Sequence, residues 1–175
     1  FVYVAAQTGI NSFFINYAVE SASIDRGDAG LILGFGGMGL FCAGRMLGSW
    51  IMQYIRAERL LAVLALVAAH CSMLVVASPG RVGFTALLIV YFCESIMFPT
   101  IFALALRGLG RRTKIASSLL IMGIVGGAVA PVLMGLIADH SSMAYGFIVP
   151  LICFFIIAAY GGFVVRRSAR AQHRH

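Results

Sequence analysis

The sequence predicts an all-α membrane protein with six transmembrane helices. Two observations on composition and one on patterning support this fold class. Hydrophobic residues make up 61% of the 175 residues, charged residues make up 11%, and the apolar residues fall into six long runs. Soluble domains carry about 25% charged residues, so this chain has too few polar side chains to cover its own surface. The outer surface of the helices is therefore expected to face lipid.

Each apolar run is close to the roughly 20 residues that a helix needs to span a membrane. Short polar loops separate the runs, among them the Pro-Gly turn at 78–81. We expect a six-helix transmembrane bundle over 1–165, followed by a basic, disordered tail over 166–175. The predicted spans are 1–19, 30–54, 60–78, 83–106, 115–138 and 146–165.

The distribution of Lys and Arg predicts the orientation of the chain. Ten of these residues lie in the loops 55–59 and 107–114 and in the tail, whereas two lie in the loops 20–28, 78–81 and 139–145. Loops rich in Lys and Arg stay in the cytoplasm. We therefore expect the basic loops and the tail to be cytoplasmic, in a multi-pass protein of the plasma (inner) membrane. The net charge of +7 is then a topology signal, and no nucleic-acid partner is expected.

The glycines of the second span match the pattern G-x-G-x-x-G in the string GFGGMG (34–39). A dinucleotide-binding loop also requires a preceding strand and a βαβ unit, and this string lies inside an apolar span. Glycine in a membrane helix instead lets two backbones approach closely. Glycines four residues apart therefore predict tightly packed helix faces at Gly30/Gly34, Gly44/Gly48 and Gly123/Gly127.

Polar and aromatic residues inside the first and fourth spans are the candidate functional residues. Gln7 and Asn11 are four residues apart, which places them on one helical face. Tyr91, Glu94 and Phe98 follow an i, i+3, i+7 pattern, and Glu94 lies about 16 Å deep, near the middle of the membrane. An ionisable group at that depth costs roughly 2.5 to 3.5 kcal/mol on insertion scales, so it is expected to face the bundle interior or a water-filled cavity.

Two interpretations of these residues remain open. They could hydrogen-bond one helix to another, or they could line a cavity where amides and the carboxyl group bind hydroxyls and aromatic rings pack on a sugar. Glu94 is correspondingly a contact between helices or a group that binds substrate or exchanges a proton. Arg45, toward the cytoplasmic end of the second span, is expected to snorkel or to pair with an acid. The cavity interpretation gives the substrate-binding set Gln7, Asn11, Tyr91, Glu94 and Phe98.

No enzyme activity is expected, because the sequence contains neither H-E-x-x-H nor G-x-S-x-G. No catalytic residue, cofactor or metal site is predicted. The cysteines Cys42, Cys71, Cys93 and Cys153 are expected to be free thiols, since each lies within an apolar segment and none forms C-x-x-C.

Several segments together carry a family resemblance. SIMFPTIFALALRGLG (95–110) and TKIASSLLIMGIVGGAVAPVLMGLIAD (113–139), with YVAAQTGINSFFINYAVE (3–20) and GRMLGSW (44–50), resemble the fucose:proton symporter branch of the major facilitator superfamily. Gln7 falls on a glutamine of that family. Phe98 stands where the fucose-transporting members have a tyrosine, and MFPTIF is more similar to the glucose/galactose transporter members.

The resemblance implies the C-terminal six-helix half of a twelve-helix sugar transporter that works by alternating access. The chain begins at Phe1 inside an apolar run, which suggests a fragment cut on its N-terminal side. The family places its proton-coupling acids in the other half, so the resemblance implies no role for Glu94. The expected partners are a small sugar, a proton or other coupling cation, the lipid bilayer and the missing N-terminal six-helix half.

Two other functions remain open on the sequence alone. The first is a facilitator of another small metabolite or drug on the same scaffold. The second is a noncatalytic six-span membrane protein that assembles with a partner.

Overall fold

The structure is a computed structural model that describes residues 1–107, 110 and 113–172, with side chains described as far as residue 166. All the elements of the described part are helical. A π-helical turn, Ile32–Gly37, joins α2 to α3, and a 3₁₀ turn, Gly123–Val125, joins α6 to α7. The α-helices are α1 (Val2–Ala22), α2 (Arg26–Leu31), α3 (Met38–Ile51), α4 (Ala57–Ala77), α5 (Arg81–Leu106), α6 (Thr113–Met122), α7 (Gly126–His140), α8 (Met143–Gly146) and α9 (Ile148–Gln172).

Five helical segments are long and apolar enough to cross a membrane, which confirms an all-helical membrane fold. The helix α1 has 21 residues but is not one of the five, since the amides Gln7, Asn11 and Asn16 interrupt its apolar residues. The five segments are Arg26–Ile51, Ala57–Ala77, Arg81–Leu106, Thr113–His140 and Met143–Arg166.

The polar helix α1 nevertheless lies at the centre of the bundle, in contact with α5, α7 and α9. Its side chains Ile10, Phe14 and Tyr17 are fully buried. The Tyr17 hydroxyl donates a hydrogen bond to the Val75 carbonyl at 2.9 Å, and the Tyr17 ring lies 5.0 Å from the ring of Phe147. The surrounding helices therefore bury one face of α1.

Large apolar side chains cover the outside of the bundle. They belong to several helices, as expected for a surface that meets lipid. Examples are Leu66, Val67, Leu133, Phe155 and Ile156.

The helix ends follow local sequence signals. The helix α1 ends at Ala22 and is capped by Ser23, whose φ of 54° lies in the left-handed region. The Asp25 side chain then accepts a hydrogen bond from the Gly27 backbone N–H at 2.9 Å, which caps the start of α2. Gly80 has a φ of 119° in the turn between α4 and α5, a conformation that favours glycine. The predicted Pro-Gly turn at 78–81 is therefore confirmed.

The connecting loops gather at two opposite ends of the bundle. At one end, the Met143 backbone N–H donates a hydrogen bond to Glu20 Oε1 at 3.0 Å, which brings the segments 20–28 and 139–145 together. At the other end, Arg107 Nη1 lies 2.7 Å from Glu58 Oε1. This ion pair joins the two basic loops, so the grouping of loops follows the predicted alternation.

Close packing at glycine confirms two of the three predicted helix faces. A Cβ atom at Gly48 would lie 2.7 Å from Ile96 Cγ2, and one at Gly44 would overlap the Ser95 hydroxyl, so α3 lies tightly on α5. A Cβ atom at Gly127 would lie 2.7 Å from Thr8 Oγ1, so the third pair also packs closely. The prediction was wrong for Gly30/Gly34, where a Cβ atom would meet nothing within 4 Å.

The helix α9 continues to Gln172, which corrects the expectation that the tail is disordered from residue 166 onward. The rest of that predicted segment, 173–175, lies outside the described residues. An α-helix can run beyond the apolar span because its backbone hydrogen bonds are internal to the helix.

Candidate functional site

The contact between α1 and α5 brings predicted residues together. The two helices run antiparallel, since Tyr3 meets the later part of α5 and Phe14 meets its middle and start. The Tyr91 hydroxyl donates a hydrogen bond to Asn11 Oδ1, and the Phe14 ring lies 5.3 Å from the Tyr91 ring in an edge-to-face arrangement. Two of the five predicted residues, Asn11 and Tyr91, are therefore direct partners across the helix contact.

The Tyr91 side chain is enclosed on the other side by the π-helical turn. Tyr91 is only 1% exposed, and a Cβ atom at Gly37 would lie 3.6 Å from Tyr91 Cδ1 and Cε1. Turns of π-helix within α-helices occur frequently at functional sites. Here the turn presents a glycine to the tyrosine ring, so that the second span passes close to the hydrogen bond between Tyr91 and Asn11.

The third residue, Gln7, lies on the same face of α1. Tyr3, Gln7 and Asn11 are spaced by four residues and therefore follow one another along that face. Gln7 is half-buried, and it has no hydrogen-bond partner among the described residues. Its amide is available to donate and accept hydrogen bonds beside the Asn11 amide.

Glu94 is fully enclosed by protein in this arrangement. It is 0% exposed, and neither carboxyl oxygen has a hydrogen-bond partner in the described part of the chain. Only its backbone carbonyl is used across the helix contact, where it accepts a hydrogen bond from the Tyr3 hydroxyl at 2.7 Å. An ionised carboxylate buried without a partner costs several kcal/mol, so this environment disfavours the charged form.

Phe98 lies between a tyrosine and an arginine. Its ring centroid is 5.9 Å from that of Tyr3, and the Arg45 guanidinium carbon lies 5.5 Å from the Phe98 centroid and 5.1 Å from that of Phe41. Within the described residues Arg45 has no acid partner, so of the two expectations, snorkelling and pairing with an acid, the second is not met in this arrangement. The arginine is held instead by cation–π contacts, which are favourable within about 6 Å.

The aromatic residues of α1 and α5 border a small apolar cavity of about 70 Å³. Tyr3, Phe98 and Phe102 form one wall, and α6 supplies Leu120 and Ile121 to the other. The cavity therefore extends from the predicted site along the aromatic face of α5.

Sequence reasoning missed Tyr3, although its spacing of four from Gln7 extends the predicted stripe. Tyr3 contacts both Glu94 and Phe98, so it connects the polar and aromatic parts of the site. The contact between Arg45 and Phe98 joins different spans, and no local pattern in either span indicates it.

Comparison with known proteins gives the site a context. No family model matches the chain. The chain is 38% identical over 163 residues to a glucose/galactose transporter of Brucella abortus, a match that covers 92% of this chain and 39% of that protein. It is 34% identical to the L-fucose-proton symporter of Escherichia coli, over 93% of this chain and 37% of that protein.

Two solved structures of such transporters also match the chain in sequence and in fold. A crystal structure of the E. coli fucose:proton symporter matches with a TM-score of 0.87 and 34% identity, over 93% of this chain and 40% of that one. A second structure, described as a major facilitator superfamily transporter in the outward conformation, also matches with a TM-score of 0.87. The chain thus spans about two fifths of the length of the relatives it matches.

Proposed function

We propose that this chain, which is homologous to the fucose:proton symporter branch of the major facilitator superfamily, forms the C-terminal half of a proton-coupled sugar transporter. The observation that carries the proposal is the match of nearly the whole chain, in sequence and in fold, to part of a named symporter. The other half would supply the second wall of the transport pathway, and alternating access would move the sugar between the two halves.

The proposed topology has six spans, with α1 as the first. The antiparallel contact of α1 with α5 and its packing against α7 and α9 support this assignment, because the polar helix buries one face among the apolar spans. We place the end that carries the ion pair between Arg107 and Glu58 in the cytoplasm, since the basic loops meet there. The protein would then lie in the plasma (inner) membrane, with its tail also cytoplasmic.

The proposed substrate is a neutral sugar. Relatives are named for fucose and for glucose or galactose, and these sugars offer hydroxyls and a weakly polar ring face. Gln7 and Asn11 would bind hydroxyls through their amides, and the half-buried Phe98 ring would pack against the sugar. The proposed substrate-binding set is Gln7, Asn11, Tyr91, Glu94 and Phe98.

Tyr91 and Glu94 are the most buried members of this set, so they would act on the sugar less directly. Tyr91 donates to Asn11 and so fixes the direction in which that amide points. Glu94 is enclosed in the present arrangement, so its contact with a sugar would require α1 and α5 to separate locally. Movement of packed helices is a common element of transport cycles.

The direct test is uptake by the full-length protein reconstituted in liposomes. We expect saturable uptake of fucose, glucose or galactose that increases when the liposome interior is made alkaline relative to the outside. Uptake of a different metabolite or drug, with none of these sugars, would favour the facilitator. An inserted, folded protein that transports neither would favour the noncatalytic alternative.

Single substitutions test the proposed site in the same assay. Tyr91→Phe removes the donor to Asn11 but keeps the ring, so we expect the KM for sugar to rise roughly 2- to 10-fold, the value of one hydrogen bond. Gln7→Ala should also raise the KM. Ser12→Ala is the matched control on α1, because Ser12 is exposed. Equal KM values for all three variants would contradict the proposed site.

A further inference from the structure

The chain contains two buried glutamates whose surroundings differ. Glu58 is 3% exposed and is paired with Arg107, whose Nη1 lies 2.7 Å from Glu58 Oε1. Glu94 is 0% exposed, and both its carboxyl oxygens are without a partner in the part of the chain that the structure describes. At Glu58 a cation therefore offsets the cost of burying a carboxylate, whereas no described residue offsets that cost at Glu94.

An uncompensated buried carboxyl group favours the neutral form, because binding one proton removes the charge that burial would otherwise leave unpaired. The paired carboxylate of Glu58 keeps its charge for the opposite reason. The same chain thus holds one glutamate suited to be ionised and one suited to carry a proton.

The residues around Glu94 show which group could pair with its carboxylate after the proton is released. The Tyr3 hydroxyl donates a hydrogen bond to the Glu94 backbone carbonyl, Tyr91 and Cys93 precede Glu94 on α5, and Arg45 lies over the ring of Phe98. Tyrosine and cysteine side chains carry no positive charge in either protonation state. Arg45 is therefore the cation among these residues.

The position of Arg45 leaves it free to change partner. Its guanidinium rests on the rings of Phe41 and Phe98, and Phe98 follows Glu94 by one helical turn. The neighbouring Gly44 packs directly against Ser95, which holds the backbone of α3 close to the helix that carries Glu94. A change in the Arg45 side chain could therefore move its charge from the aromatic rings toward the carboxyl group.

We propose that Glu94 is a proton-binding site of this half, and that Arg45 replaces the proton when the carboxyl group is deprotonated. In the proposed protonated state the carboxyl O–H bond is intact, and Arg45 lies on the ring of Phe98 as it does in the structure. Release breaks the O–H bond and passes the proton to water, after which the guanidinium pairs with the carboxylate. Proton binding by Glu94 is independent of what the protein transports, whereas its use in coupling rests on the proposed function.

Infrared difference spectroscopy tests the site without any transport measurement. The full-length protein is labelled with ¹³C-glutamate in lipid nanodiscs, and the C=O stretching band of protonated carboxyl groups is recorded near neutral pH. We expect one component of the labelled band to disappear in Glu94→Gln and to stay unchanged in Glu58→Gln, whatever protonated glutamates the other half contributes. A band that is identical in Glu94→Gln and the wild type, or the absence of any labelled band in the wild type, would overturn the proposal. If Glu94→Gln does not fold, Glu94→Asp keeps a carboxyl group but carries no labelled glutamate, so it should remove the same component.

Titration of the same band tests the part played by Arg45. Without a cation close to the carboxylate, the carboxyl group should keep its proton to higher pH. The acid band should then persist to a pH about 1 to 3 units higher, which is the effect of one opposite charge within about 4–6 Å. We expect this shift in Arg45→Met, and a much smaller one in Arg45→Lys, which keeps the charge. Arg59→Met, at an exposed position in the first turn of α4, is the control. Identical titrations of Arg45→Met and the wild type would refute the exchange of partners, whether or not the protein transports sugar.

Discussion

Two adjacent glycines in α9 offer a matched test of helix packing. A Cβ atom at Gly161 would lie 3.0 Å from Ala62 Cα, 3.1 Å from Ala62 N and 3.2 Å from Ala62 Cβ, whereas one at Gly162 would meet nothing within 4 Å. The atoms that Gly161→Ala would crowd belong mainly to the backbone of α4, which cannot rotate away as a side chain can. The contact between α4 and α9 must then widen or shift.

The expected size of the effect follows from two terms. Replacing glycine by alanine within a helix gains about 0.8–1.0 kcal/mol of helix propensity, and this gain is the same at both positions. Inserting a methyl group into a filled interface costs about 1–3 kcal/mol. The propensity term cancels in the comparison, so Gly161→Ala is expected to be less stable than Gly162→Ala by about 1–3 kcal/mol.

The buried thiols provide the assay. Cys71 and Cys93 are buried, so a thiol-reactive fluorescent dye labels them as the protein unfolds on heating. Cys42 is exposed and is first replaced by serine in every variant to remove the background signal. The unfolding midpoint is expected to be lower for Gly161→Ala than for Gly162→Ala.

Two outcomes would refute the packing argument. Equal midpoints would mean that the interface of α4 and α9 accommodates a methyl group without cost. A lower midpoint for Gly162→Ala would mean that Gly162, and not Gly161, faces a neighbouring helix.

Two further predictions concern the ends of the bundle. A cysteine introduced at Thr113 should resist an impermeant thiol reagent added outside whole cells, and one at Ser141 should react, in a background without native thiols; the reverse pattern would invert the proposed topology. Arg107→Ala removes a partner of the buried Glu58 and should destabilise the protein by about 1 kcal/mol, since the arginine itself is largely exposed. Arg59→Ala is the control for thermal unfolding, and equal losses in both variants would contradict a specific role for the ion pair.

The sequence predicted the helices well because the signals for them are local. Long apolar runs specify helices wherever they lie in the fold, and the turn at 78–81 follows from Pro-Gly chemistry alone. The glycine pairs show the limit of such signals. Gly44/Gly48 packs against α5 while Gly30/Gly34 meets nothing within 4 Å, although the two pairs have the same spacing and lie in the same predicted span.

By itself, the sequence determined that the chain is helical, that it suits a membrane and which polar residues share a helical face, since composition and a period of 3.6 residues fix these properties. It predicted a depth near mid-membrane for Glu94 but could not identify the residues around it. Only the tertiary structure decided that Tyr91 meets Asn11, that Arg45 rests on Phe98 and that the Glu94 carboxyl group has no described partner. The physical reason is that a side chain's partner depends on which helices lie side by side, and helices distant in sequence are brought together only by the packing of the whole bundle.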